Sequence, residues 1–313
     1  MFILFKKIFF FIIALAMIDY VLGICLHSFY FHQKKEWTAH VTYSLDSAKP
    51  DILILGSSRA ERHYSPSILS DSLHKSCYNA GMDAQSIPYC TALQEVIFKR
   101  WKPKMIILDI NPWEFIEDTI KYEKLSILLP YCNEHPELIK YLEIASPMER
   151  LKLYSNIYPY NSTFFIAVND KLHAQKMPTE EFGYAPIIKV MDAAEITLTK
   201  KALLQDEKKD KDFYVKTDAF AFNLYRQFLK RCTDNHIKTY VITSPTLIPG
   251  YQNKSKKELL SISKTYPEIK FIDFSSNPNY NGHFEKFSDH IHLNKQGSEE
   301  FSKELAGRLK KLG

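Results

Sequence analysis

Four small groups of residues carry side chains suited to attacking a carbonyl or moving a proton. Gly56-Ser57-Ser58-Arg59 directly follows the apolar run Ile52–Leu55, where a tight turn presents a hydroxyl to a cleft. Asn79-Ala80-Gly81 follows a weaker run, and a glycine there lets backbone approach a ligand closely. Asp109-Ile110-Asn111-Pro112 closes a third run, with an asparagine amide placed to face developing negative charge. Asp289-His290-Ile291-His292 lies near the C-terminus. Asp and His three apart in a turn let the carboxylate reach the imidazole Nδ1–H, which leaves Nε2 free to act as a base. Taken singly, each group also has an ordinary reading: a serine-rich turn, a turn glycine, an Asx cap before Pro112, and a chance pair among 11 histidines.

A metal reading of His283, His290, His292 and Asp289 is also open. No helical His-x3-His frame accompanies them, and the five cysteines show no CxxC spacing. The expectation is therefore no metal and no cofactor. Arg59 and His63, just after the serine turn, are candidates to line a cleft or bind an anionic substrate. Trp113, just after Asn111, is a candidate aromatic wall for a sugar ring, and core packing is the equal alternative.

The elements that must position these groups alternate in type. Runs at 52–55, 77–79, 105–110, 237–243 and 269–274 read as strands, the first of them short, continuous and apolar as in buried parallel sheets. Segments 86–100, 213–233, 254–265 and 296–311 read as helices. The pattern predicts an α/β domain over 51–313, a doubly wound parallel five-stranded sheet with helices on both faces. Residues 119–211 break the regularity and read as a mostly helical insertion or lid. In such a sheet ligands bind beyond the carboxyl ends of the strands, where all four groups fall.

The N-terminus sets the compartment. Residues 8–26, IFFFIIALAMIDYVLGICL, contain one charge, Asp19, and are long enough for a transmembrane anchor. Lys6 and Lys7 in segment 1–7 favour a cytoplasmic N-terminus, and 27–50 reads as a polar tether. A signal peptide is the rival, but no small-x-small cleavage site follows the run. The expected location is the inner membrane, single-pass, with the domain on the periplasmic side. Of the net charge of +5, residues 1–35 supply +3, which leaves too little elsewhere for a nucleic-acid footprint. Cys77, Cys90, Cys132 and Cys232 could form two disulfides in an oxidising compartment or remain buried thiols; both readings stand.

The order of the groups, serine after the first strand, glycine after the second, asparagine after the third and Asp-x-x-His after the last, resembles the SGNH/GDSL hydrolase family. The resemblance covers about 50–118 and 212–313. It implies the flavodoxin-like SGNH fold, a nucleophile at Ser58, an Asp289–His292 pair, and an oxyanion hole from Ser58, Gly81 and Asn111. Ser57 replaces the family's usual Asp, and Asp109-Ile110-Asn111-Pro112 departs from its Gly-x-Asn-Asp. Together with the anchor and insertion, the chain is similar to envelope acyl-transfer proteins of the alginate and teichoic-acid modification types. That implies a serine esterase or O-acyltransferase acting on acyl groups, acetyl foremost, of an envelope glycan, with a membrane acyltransferase as candidate partner. The altered blocks motivate the alternative of a catalytically silent glycan- or partner-binding module.

Overall fold

The computed structural model describes residues 1–32, 37–161, 163–165, 168, 183–206, 216–249 and 254–312. They form two compact units. Met1–Asp46 clusters with Tyr122–Met177, and Ser47–Lys121 with Pro178–Gly313.

The first unit is built on α1, Phe2–Phe31, which extends the apolar run at both ends. No proline interrupts it, so nothing stops the helix before residue 31. Most of its side chains are exposed although apolar. Among the described residues it is the one helix long and apolar enough to cross a membrane.

Residues 27–50, expected as a tether, instead hold the end of α1 and a second helix, α2, Trp37–Asp46. Val41 and Leu45, one turn apart and fully buried, give α2 an apolar edge. The Tyr131 hydroxyl meets Thr42 Oγ1 at 2.7 Å, and His135 Nε2 meets Asp46 at 2.8 Å. The expected insertion 119–211 also divides. Short helical turns between Lys124 and Tyr160 join α1 and α2, whereas the helix Ala193–Asp206 belongs with the sheet. Rings of Tyr131 and Tyr160 packed on Tyr30 account for the first allegiance.

The second unit runs β1 Ile52–Leu55, α3 Ser58–His63, α4 Pro66–Leu73, β2 Cys77–Asn79, α5 Ile87–Arg100, β3 Met105–Asp109, α6 Ala219–Asp234, β4 Lys238–Thr243, α7 Lys254–Lys264, β5 Lys270–Asp273 and α8 Lys295–Lys311. All five strands are parallel, in the order β2-β1-β3-β4-β5. This is the doubly wound α/β order of flavodoxin-like folds. Ile54 pairs with Asn79 on one side and Ile107 on the other, so the chain leaves β1, β2 and β3 at a common rim. The order reverses at β1, which makes its end the switch point where such folds open a crevice.

Alternation divides the strand side chains between two faces. Ile52, Ile54, Ile107, Tyr240 and Ile242 join one core with Tyr64 just after α3, Leu69 of α4, and Phe301 and Leu305 of α8. Phe301 is wedged edge-on between Tyr64 and Phe274, with ring centroids 5.2 and 5.1 Å away. Helices α5 and α6 pack together in the other layer. The cysteines are unpaired: Cys77, Cys90, Cys132 and Cys232 are buried thiols, and burial pushes those of Cys132 and Cys232 up to about 12.

Candidate active site

The rim between β1 and the loop before α8 gathers the reactive groups. β1 ends in Gly56, whose φ is +153°. A Cβ there would lie 2.7 Å from Ala60 Cβ and 2.8 Å from the Asp109 carbonyl. Only glycine allows the chain to turn this closely beneath α3. Ser58 is the first residue of that helix, so its N–H has no partner within the helix.

The Ser58 hydroxyl lies 2.8 Å from His292 Nε2, across 234 positions of sequence. His292 Nδ1 lies 2.8 Å from Asp289 Oδ2. The other Asp289 oxygen accepts the backbone N–H groups of Ile291 and His292 at 2.7 and 2.8 Å. Partial burial pushes the Asp289 acid upward, but the His292 side chain and these two N–H groups outweigh it and hold it well below the usual carboxylate range. An ionised Asp289 takes the Nδ1–H, which fixes the tautomer and leaves Nε2 to accept the serine hydroxyl. The loop is braced at both ends. Ser288 N–H donates to the His292 carbonyl at 2.9 Å, and Asn294 caps α8 through Gly297 N–H at 2.9 Å.

The oxyanion candidates fare differently. Gly81 N–H donates to Asn79 Oδ1 at 2.9 Å, so that donor is already engaged. Asn79 Nδ2 in turn donates to the carbonyls of Ala60 and Tyr64 at 2.7 and 3.1 Å, stapling the end of β2 to α3. A Cβ on Gly81 would lie 2.6 Å from both Ala60 Cβ and Glu61 N, so the glycine serves close approach of this loop to α3. Asn111 Oδ1 accepts Trp113 N–H at 3.1 Å, while Glu114 accepts Asn111 N–H at 3.1 Å. This capping box directs the Oδ1 into its own turn and does not use Nδ2. Trp113 follows with 51% of its surface exposed, so it is not a core residue.

Arg59 and His63 correct the expectation of cleft-lining residues: both are buried. Arg59 donates to the Ser244 carbonyl and, at 2.7 Å, to Ser244 Oγ, and lies 4.0 Å from Asp109. His63 Nδ1 meets Ser244 Oγ at 3.0 Å, and its Nε2 accepts Leu293 N–H at 3.0 Å. Burial, then the positive charge of Arg59, holds the His63 imidazole well below its usual range, so it stays neutral and can accept. Asp109 Oδ2 also accepts the Tyr64 hydroxyl at 2.5 Å and Ser244 N–H at 3.2 Å. Ser244 is not among the residues that the sequence motifs single out. It sits just beyond β4, and the rule that sites lie at strand ends points to Thr243-Ser244-Pro245 as well.

Among the described residues no group of three His, Cys, Asp or Glu side chains could hold a metal ion. His283 pairs with Glu285 at 2.8 Å, and His290 is exposed in the loop beside the Asp–His pair.

No family model and no curated protein matches the sequence. Solved structures do. One is a Streptococcus pneumonia protein described provisionally as a platelet activating factor, 13% identical, with 94% of this chain and 99% of that one covered and a TM-score of 0.41. Another is a protein from Desulfitobacterium hafniense DCB-2 described provisionally as a lipolytic protein of the G-D-S-L family. It is 10% identical, with 83% and 99% covered and a TM-score of 0.39. At that level of likeness neither bears on the chemistry, which rests on this chain's own residues.

Proposed function

We propose that the chain is a serine hydrolase of the SGNH/GDSL kind, anchored in the inner membrane by α1 with its domain on the extracytoplasmic side. In this reading it removes or transfers acyl groups, acetyl foremost, on cell-envelope polysaccharide. The observation that carries the reading is the continuous relay from Ser58 Oγ to His292 Nε2 and from Nδ1 to Asp289, 2.8 Å at each step. Three residues from a strand end and a distant loop have little structural reason to align in this way at a rim.

Ser58 Oγ attacks the ester carbonyl as His292 Nε2 takes its proton. Asp289 stays ionised and stabilises the imidazolium. The Ser58 N–H and Asn111 Nδ2 face the carbonyl oxygen as it gains charge. His292 then returns the proton to the leaving alkoxide, and Ser58 keeps the acyl group. A second nucleophile, deprotonated by His292, releases it. Water as that nucleophile makes an esterase, and a sugar hydroxyl makes a transferase. The Asp289 side chain is 42% exposed, so solvent reaches the rim, which favours hydrolysis as the basal reaction.

The alternative, a silent binding module, draws support from Ser57 in place of the family's Asp and from the engaged Gly81 N–H. Turnover of p-nitrophenyl acetate separates the two. Ser58→Ala and His292→Ala each abolish it if the relay is catalytic. Equal rates in wild type and both variants leave the silent module.

A further inference from the structure

The first unit holds an arrangement that the serine chemistry does not use. Asp19 lies twelve residues beyond Lys7, about 18 Å along the helix axis. With Lys7 at one face of a hydrocarbon layer roughly 30 Å thick, Asp19 falls about 12 Å inside the other face. A carboxylate at that depth costs several kcal/mol unless satisfied. It is satisfied from outside the helix. Ser155 Oγ donates to it at 2.5 Å, Asn156 N–H at 2.8 Å, Asn156 Nδ2 at 2.9 Å and Ile157 N–H at 3.4 Å. One turn further on, a Cβ on Gly23 would lie 2.3 Å from Asn156 Cβ, so the absent side chain lets this turn press against α1. Tyr30 closes the contact against Tyr160 at 5.7 Å between ring centroids. From Asp19 to Tyr30 is about 16 Å of helix, which covers the outer part of the span, about 12 Å, and runs about 4 Å past its face.

The segment that runs beside that part exposes apolar side chains together with two cations, Arg150 and Lys152, each paired with a glutamate. Leu151 is 57% exposed, Tyr154 83% and Phe165 74%. Between it and α1 opens a cavity of about 530 Å³, walled by Leu22, Cys25 and Leu26 on one side and Ile157, Phe164 and Phe165 on the other. Its size suits a small apolar ligand, and its α1 wall continues the surface that faces lipid.

We propose that residues 146–161 form a membrane-embedded element seated in the outer leaflet against α1, and that the cavity between them takes an acyl chain of a bilayer lipid. Asp19 is then a docking post for this element. The inference rests on α1 as a membrane span and is independent of Ser58 chemistry.

The test uses the full chain in phosphatidylcholine vesicles. In a Cys25→Ser background, nitroxides are placed by Leu151→Cys, Tyr154→Cys and, as a control on the span, Leu15→Cys. At all three, collisions with oxygen should exceed those with a water-soluble nickel chelate. A lipid-exposed probe at 15 with aqueous probes at 151 and 154 overturns the embedded element, and an aqueous probe at 15 overturns the span and the proposal with it. A phosphatidylcholine with a diazirine on one acyl chain should cross-link to the peptide containing Phe164 and Phe165. Cys25→Trp, which fills the cavity, should abolish that adduct while circular dichroism confirms the fold. An adduct that is absent in wild type or unchanged in Cys25→Trp overturns the acyl-chain site.

Discussion

The imidazole of His63 accepts the backbone N–H of Leu293, the residue after His292, at 3.0 Å. His63 closes α3, and Ser58 opens it. One short helix therefore grips the 289–293 loop at two points, with the nucleophile at one end and a buried neutral imidazole at the other. His63→Ala strands the Leu293 N–H, which costs about 1–3 kcal/mol. The expected result is a kcat lowered about tenfold or more with KM little changed, since the base loop loosens while substrate contacts stay. An unchanged kcat in a folded variant would show that the loop holds itself.

Asn111 has two separable duties. Its Oδ1 caps its own turn, and its Nδ2 is the proposed oxyanion donor. Asn111→Asp keeps the acceptor and loses the donor. It should retain the wild-type melting temperature while kcat falls by about 10²–10³. Asn111→Ala should lose both activity and about 1 kcal/mol of stability.

Gly81 is required for space, because a Cβ would meet Ala60 Cβ and Glu61 N at 2.6 Å. Gly81→Ala should cost about 1–3 kcal/mol through overpacking. Adding Ala60→Gly removes half of the collision, so urea titration of the double variant should show a higher midpoint than Gly81→Ala alone. Additive losses would place the clash elsewhere.

Glu61 is buried on α3, and burial lifts its carboxyl from 4.5 to about 8, against the pull of Arg62. The folded chain therefore keeps a proton that the unfolded chain loses above about pH 4.5. This contribution to stability is whole below that pH and is lost as pH rises toward 8, at up to about 1.4 kcal/mol per pH unit. Thermal melts from about pH 5 to 8 should fall more steeply for wild type than for Glu61→Gln. Parallel curves would mean that Glu61 ionises in the folded state.

Much of this architecture is legible in the sequence because it follows from local rules. The all-apolar Ile52–Leu55 and Met105–Leu108 have the composition of doubly buried parallel strands, and that reading places the Ser58 turn at the carboxyl end of β1. The Asp289–His292 spacing likewise allows the local hydrogen bond that forms. What stays hidden depends on long-range packing. Arg59 and His63 look like surface residues until Ser244, just past β4, and Asp109 of β3 close around them. The amphipathic edge of α2, with Val41 and Leu45 four apart, is present in the sequence but sits inside a stretch whose lysines suggest a tether. Gly81 follows β2 as its sequence position predicts, yet its N–H is claimed by Asn79, which no spacing rule anticipates.

The most direct test of the central claim is mass spectrometry of the folded full chain after treatment with a fluorophosphonate, which reacts with a serine only when a base activates it. A single adduct on Ser58, lost in His292→Ala, is the predicted result. Unmodified Ser58 in folded protein, or an adduct that persists without His292, would contradict it.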